Sequence, residues 1–258
     1  MSMDTIDIDK LKGVVPYSAI AKGYDFIMSH VDYGMWSTFT DELLWLVHPN
    51  PVSVRELGCG TGTFALQLQP LGAYEYTATD ICPEMIAVAK EKATALDRPV
   101  SFVVEDFSNY TVEQPHDVVI LLYDGLNYLT EKDKLTSLFA CTLAALKPGG
   151  VFFFDQSTPA NSINNEEFFR DEGEMDGFSY VRGSDYNRDT QLHTTTFEIK
   201  TGGKTFFEKH VQRAYAKEEI EEIVLKSGFE ILHAFDGFSS ENASESSERI
   251  HWVVRKPE

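Results

Sequence analysis

Three glycines at alternate positions, Gly58, Gly60 and Gly62, follow a run at 52–57 that reads as a strand and precede one that reads as a helix through Leu68. This order constrains the chain more than any other feature. A strand must turn sharply into a helix, through backbone that a ligand can approach closely. The same grammar repeats downstream. Residues 75–79 read as a strand ending at Asp80, and Pro83 suits the first turn of a helix running to Leu96. Residues 100–104 form a third strand, ending at Glu105 and Asp106, and 117–122 a fourth. A helix over 132–146 is closed by Lys147-Pro148-Gly149-Gly150, and 151–155 is apolar throughout, as a buried parallel strand should be. Regular alternation of strand and helix predicts an α/β fold with a Rossmann-like doubly wound sheet.

The pattern then changes. Residues 178–186, 191–200 and 204–215 read as three extended runs, with turns at Asn187-Arg188-Asp189 and Thr201-Gly202-Gly203, so an antiparallel β insert is expected. A helix over 217–227 stopped by Gly228, then strands at 229–235 and 250–254, return to the first pattern. Ahead of it all, 16–47 has helical spacing and ends at Pro49-Asn-Pro51. The expected organisation is an N-terminal helical lid over 1–51, a core from 52–155 and 216–258, and an insert over 156–215 on the substrate side.

With 258 residues, 43% of them apolar, the chain can bury one α/β core plus an insertion. No apolar run approaches the roughly 20 residues of a bilayer span, so no membrane is expected. The opening MSMDTIDIDK lacks the basic and apolar regions of a secretion signal. Cys59, Cys82 and Cys141 match neither a disulfide framework nor a zinc spacing. A cytoplasmic protein without a metal fits these features. The formal charge of −19 repels phosphate backbones, and no Lys/Arg cluster offsets it, so nucleic acid is disfavoured as a partner. The acidic stretches at 166–176 and 218–222 read as solvated surfaces.

The glycine turn alone would also suit a pyrophosphate. Glu56, two positions ahead of Gly58, would repel one and suits a cationic ligand instead. Carboxylates recur at successive strand ends, Asp80 and then Asp106, along the edge where open α/β sheets bind ligands. The first can accept from ribose hydroxyls and the second from an adenine amino group. Each also has a purely structural reading, Asp80 as a helix cap and Asp106 as a turn residue. A nicotinamide dehydrogenase would need G-x-G-x-x-G, whereas these glycines alternate and Ala65 follows later.

The runs ELGCGTG, TATD, VEDF and LKPGG resemble the class I S-adenosylmethionine-dependent methyltransferases over about residues 52–155. That resemblance implies a seven-stranded sheet whose last strand is antiparallel, with S-adenosylmethionine as cofactor. It implies cofactor contacts from Glu56, Gly58, Cys59, Gly60, Gly62, Asp80, Ile81, Met85, Glu105, Asp106, Phe107, Leu122 and Tyr123, with Tyr17 and Tyr24 reaching in from the lid. A narrower resemblance joins Tyr17 and Tyr24-Asp25, the run YDGLNYL at 123–129, HVQRAY at 210–215 and SERI at 247–250 to the bacterial YqeM-like group. Gly125 stands where that group commonly has serine.

Methyl transfer from a sulfonium is an in-line displacement, and a dedicated base is needed only for a nucleophile that carries a proton. Tyr128, His210 and Asp124 are the expected catalytic residues, and Asn127, Gln212 and Arg213 the expected substrate contacts. Structural readings compete here too. Tyr128 could be packing, His210 an exposed cross-strand partner, and Arg213 the mate of an acidic surface residue. Cys59 and Cys82 read as packing residues. The expected acceptor is a small molecule, with a protein or RNA acceptor, or binding of the cofactor without catalysis, as alternatives. A monomer or a homodimer is equally compatible with the sequence.

Overall fold

The computed structural model describes residues 15–258, so the start of the expected lid, 1–14, lies outside the described residues. Helices α1 (Tyr24–Ile27) and α2 (Tyr33–Val47) precede β1 (Ser53–Leu57), α3 (Thr63–Gly72), β2 (Glu75–Asp80), α4 (Pro83–Leu96) and β3 (Val100–Val104). Then come β4 (His116–Leu121), α5 (Lys132–Ala145), β5 (Leu146–Ser157) and α6 (Pro159–Asn164). Four strands follow: β6 (Arg170–Met175), β7 (Phe178–Asn187), β8 (Leu192–Thr201) and β9 (Lys204–Arg213). The chain closes with α7 (Lys217–Lys226), β10 (Glu230–Asp236) and β11 (Arg249–Arg255).

Seven strands form one sheet in the order β10-β11-β5-β4-β1-β2-β3. The pairs β1–β2, β1–β4, β2–β3 and β4–β5 are parallel, and β11 runs antiparallel to both β5 and β10. The doubly wound sheet and the antiparallel insert expected from the sequence are both present. Successive side chains of a strand point to opposite faces, and β5 shows the result. Phe152 and Phe154 pack with Leu138 and Phe139 of α5 and Ile220 and Val224 of α7. Val151 and Phe153 pack on the other side with Leu44 of α2, Phe64 of α3 and Ile86 of α4. Full burial of each such side chain contributes about 1.5–3 kcal/mol, which fixes the strand ends that carry the site.

A third apolar cluster joins the insert to the N-terminal segment expected to form a lid. Ile20, Ile27 and Met28 pack with Phe178, Tyr180, Phe197 and Ile199 of the insert and with Met85 of α4. Contact is close: a Cβ added to Gly23 would lie 2.2 Å from the Phe178 ring, so only glycine fits there.

Two expectations need correction. Residues 16–47 are not one helical run. A 3-10 turn at Ala21–Gly23 leads into α1, and α2 starts afresh at Tyr33, where the Asp32 carboxylate accepts the Met35 N–H at 2.9 Å as an N-cap. The insert has four strands rather than three. The acidic stretch read as plain surface contains β6, which pairs antiparallel with β7 through Asp171↔Arg182 and Gly173↔Tyr180. It is an edge strand with Arg170, Glu172 and Glu174 exposed, and charge on an edge is a common guard against unwanted strand pairing. Among the described residues, no helix is long and apolar enough to cross a membrane.

Candidate active site

Strand order reverses at β1, whose neighbours β2 and β4 belong to the two halves of the sheet. The carboxyl ends of these three strands therefore converge, as at ligand sites of open α/β sheets. The loop leaving β1 has Gly58, Gly60 and Gly62 at φ of +66°, +54° and +73°, a region open to glycine at little cost. Gly62 also has no room for a side chain: a Cβ there would lie 2.7 Å from the Phe102 ring and 3.0 Å from Ala89.

Asp80 pins this loop. Its Oδ2 accepts the Gly60 N–H at 2.9 Å, and its Oδ1 accepts the Cys82 N–H at 2.8 Å. Burial pushes its carboxyl upward, and these backbone donors counter that. Glu56 is 4% exposed. It accepts the Tyr76 hydroxyl at 2.8 Å, and burial pushes it up to about 8. Phe107 lies 3.6 Å from the Cβ position of Gly58. Asp106 Oδ1 accepts the Ser108 N–H at 2.8 Å, while Glu105 pairs with Arg55 of β1. Ile81 is exposed, Met85 and Leu122 are buried, and burial raises the Cys59 thiol well above its usual range. A thiol held protonated is no nucleophile.

The turn after β4 is strained. Tyr123 and Asp124 both have left-handed backbone, at φ of +62° and +63°, a conformation that non-glycine residues seldom adopt and that clusters at functional sites. Asp124 N–H donates to the fully buried Asp155 at 3.1 Å. Arg249 of β11 pairs with Asp155 and, at 2.6 Å, with Asp124, and its guanidinium lies 5.3 Å from the Tyr123 ring centre. Burial lifts Asp155 to about 6 even beside this arginine. Arg249→Met should destabilise the fold by about 3–5 kcal/mol. The loss deepens as pH rises, because the unpartnered carboxyl must then ionise in place. Denaturant unfolding at two pH values checks this, and an unchanged midpoint would remove the ion pair from the list of supports.

Tyr17, Tyr128 and His210, far apart in sequence, meet in space. The Tyr17 and Tyr128 hydroxyls lie 2.5 Å apart, and the Tyr128 hydroxyl lies 3.0 Å from His210 Nδ1. His210 is 3% exposed, which answers the exposed-partner reading. Tyr24 packs edge-on to Tyr17 at 5.8 Å and reaches within 3.7 Å of the Cβ position of Gly60. Burial raises both Tyr17 and Tyr128 well above the usual phenol range. Both therefore keep their hydroxyl protons at neutral pH.

The expected substrate contacts have other partners. Asn127, 1% exposed, donates to the Ser157 and Arg213 carbonyls at 2.8 and 2.7 Å and accepts the Ser157 N–H at 3.0 Å. Gln212 donates to the Asp124 carbonyl at 3.3 Å. Arg213 pairs with Glu219 at 2.7 Å, the acidic mate that the sequence left open. A Cβ on Gly125 would lie 2.4 Å from Leu121 Cδ1, so a serine there would require that side chain to shift.

The sequence placed Glu208 only on the strand face of His210, among groups that could orient a nucleophile, and gave no role to Asp155, Arg249 or the Asp25–Lys92 pair. Asp25 of α1 meets Lys92 at 2.6 Å and accepts the Thr61 hydroxyl at 2.5 Å, tying the lid to the glycine loop.

A glycine turn at the switch point, strand-end carboxylates where a pyrophosphate would be repelled, and a seven-stranded sheet with an antiparallel last strand are the marks of the class I S-adenosylmethionine-dependent methyltransferases, and the chain carries all three. Residues 54–150 match the family described as Methyltransferase domain. The chain is 29% identical to YqeM of Bacillus subtilis, a methyltransferase by name, over 93% of this chain and 97% of that one. An S-adenosylmethionine-dependent methyltransferase from Clostridium acetobutylicum superposes with a TM-score of 0.78 at 26% identity, covering 94% of this chain and 99% of the other. CalS10, an amino pentose methyltransferase from Micromonospora echinaspora solved with S-adenosylmethionine bound, shares the fold at a TM-score of 0.69 and 16% identity, covering 91% and 96%. The cofactor is S-adenosylmethionine, and the donor set fits it. Glu56 is a buried carboxyl with no cation of its own among the described residues, and Gly58 and Gly60 leave the backbone of the loop beside it open to close approach.

Proposed function

We propose that the chain methylates a small molecule, held between the strand ends of the core and the inner face of the insert. Glu56 receives the cofactor's amino end, the glycine loop takes its backbone-facing side, Asp80 accepts the ribose hydroxyls and Asp106 the adenine amino group. The bound cofactor supplies a methyl group on a sulfonium, open to in-line displacement. Lid, insert and core exclude water and orient the acceptor, and such orientation is a large part of the barrier reduction in a displacement. Tyr128 orients the acceptor's nucleophilic atom. When that atom carries a proton, Tyr128 hands it toward His210.

One observation carries this reading: the hydroxyl–imidazole row of Tyr17, Tyr128 and His210 is roofed by lid and insert, beside the loop that Asp80 pins. An enclosed polar row suits a small acceptor better than a macromolecular surface. CalS10 acts on an amino pentose by name, so the fold accommodates an acceptor of that size.

The test is titration with S-adenosylhomocysteine, with NADH in parallel, followed by incubation of methyl-labelled cofactor with small amines, amino sugars included. Binding of the first ligand alone, then label in a small product with equimolar S-adenosylhomocysteine, is the expected result. Label appearing only in protein or RNA of a cell extract would overturn the small-molecule reading. On an accepted substrate, Tyr128→Phe should lower turnover by about 10²-fold or more, within the range of positioned proton transfer, and leave S-adenosylhomocysteine affinity within a few-fold. Equal turnover would assign Tyr128 to packing.

A further inference from the structure

We infer that Glu208 is the positioning residue of this site: one buried carboxylate seats the lid and fixes the direction of every hydrogen bond in the tyrosine–histidine row. Its side chain has no exposed surface, although it stands on an inward face of β9 among Phe197, Phe206 and His210. A carboxylate in such a place is costly unless its oxygens are filled. Two backbone N–H groups and a ring nitrogen of His210 fill them. Oε2 accepts the Tyr17 backbone N–H at 2.9 Å and faces His210 Nε2 at 3.2 Å, and Oε1 accepts the Ala19 backbone N–H at 2.5 Å. A fixed backbone donor sits on each oxygen, so we assign the group as an ionised carboxylate that serves as an acceptor only.

Two consequences follow. First, Nε2 of the neutral imidazole must carry the ring proton, which leaves Nδ1 as the acceptor. The Tyr128 hydroxyl then donates to Nδ1, and the Tyr17 hydroxyl donates to Tyr128. The lone pairs of Tyr17 remain free at the outer end, so the row runs one way, from the lid to the imidazole. Second, Tyr17 enters the row only when its own amide is seated. Its backbone is left-handed, at φ of +74°, unfavourable for a bulky side chain, and the Glu208 bonds at Tyr17 and Ala19 bracket that turn. Seating of the lid and alignment of the base become a single event. A plain apolar contact would dock the lid through Ile20 and Ile27 but would leave the imidazole tautomer open.

The role in catalysis rests on the methyl-transfer reading; the latch does not. The test uses the full chain and S-adenosylhomocysteine as probe. In the wild type, nitrogen NMR of labelled histidine should show His210 as the Nε2–H tautomer. In Glu208→Gln, one of the accepting oxygens becomes an NH₂ donor. Amide exchange across 17–24 should then accelerate at least 10-fold, His210 should lose its single tautomer, and S-adenosylhomocysteine should dissociate at least 10-fold faster at a similar association rate. Glu208→Asp, which keeps the carboxylate, should recover part of each effect. A folded Glu208→Gln variant with unchanged exchange and tautomer overturns the inference, and so does an Nδ1–H tautomer in the wild type, which needs no variant. If the wild type fails to bind S-adenosylhomocysteine, the cofactor reading falls, while the exchange and tautomer measurements still decide the latch.

Discussion

Asp80→Ala will weaken S-adenosylhomocysteine binding by at least about 100-fold. Hydrogen bonds to a charged acceptor contribute about 1.5–3 kcal/mol each, and a strand-end carboxylate facing a ribose can accept two, where each 1.4 kcal/mol is tenfold in affinity. The substitution also removes the acceptor that holds the Gly60 and Cys82 amides, so the glycine loop loses its anchor as the ligand loses its partner. Asp80→Asn, with one acceptor oxygen and no charge, should fall between the two. Because Asp80 is nearly buried, an unfolding measurement accompanies each titration. A folded alanine variant with wild-type affinity would take Asp80 out of the cofactor site.

The parts of this molecule that were legible in the sequence are those where one physical requirement dominates. Strand β5 is buried on both faces, so its run at 151–154 had to be apolar. Asp80 stands out because it closes a strand-length run three residues before the proline that opens the next helix. The turn at Gly202–Gly203 shows because few other residues adopt its backbone. The illegible parts are those where a local pattern has two solutions. β6 reads as solvated acid because an edge strand needs charge as much as a loop does. Asn127 looks like a substrate contact because a polar side chain in an aromatic turn does not reveal that two backbone carbonyls, one of them 86 residues away, will claim it. Glu208 could be placed on the same strand face as His210, but nothing local says that this face meets a lid 191 residues earlier in the chain. Long-range pairing of polar groups, rather than apolar burial, is what the sequence withheld.

Glu56→Gln will change stability and cofactor affinity in opposite directions at pH 8. In the free protein burial raises this carboxyl from 4.5 to about 8, so at neutral pH it is mostly protonated. A folded value above the unfolded one contributes stability that is complete below the unfolded value and lost as pH rises through the folded value. At about 1.4 kcal/mol per unit, the loss between pH 5 and pH 8 is about 3–4 kcal/mol. Glu56→Gln should therefore flatten the unfolding profile and leave the free protein more stable than wild type at pH 8. Binding runs the other way. A ligand that presents an ammonium group stabilises the carboxylate, so it expels the proton, and its affinity should climb with pH until about 8 and then level. Calorimetry in two buffers of different ionisation enthalpy would count that proton in the wild type and find none in Glu56→Gln, whose affinity at pH 8 should be lower. The variant is thus the more stable and the weaker binder at once, a combination that a merely packed side chain would not produce. An unfolding profile shared by wild type and Glu56→Gln, or binding without proton release, would show that Glu56 does not face the cationic end of the cofactor.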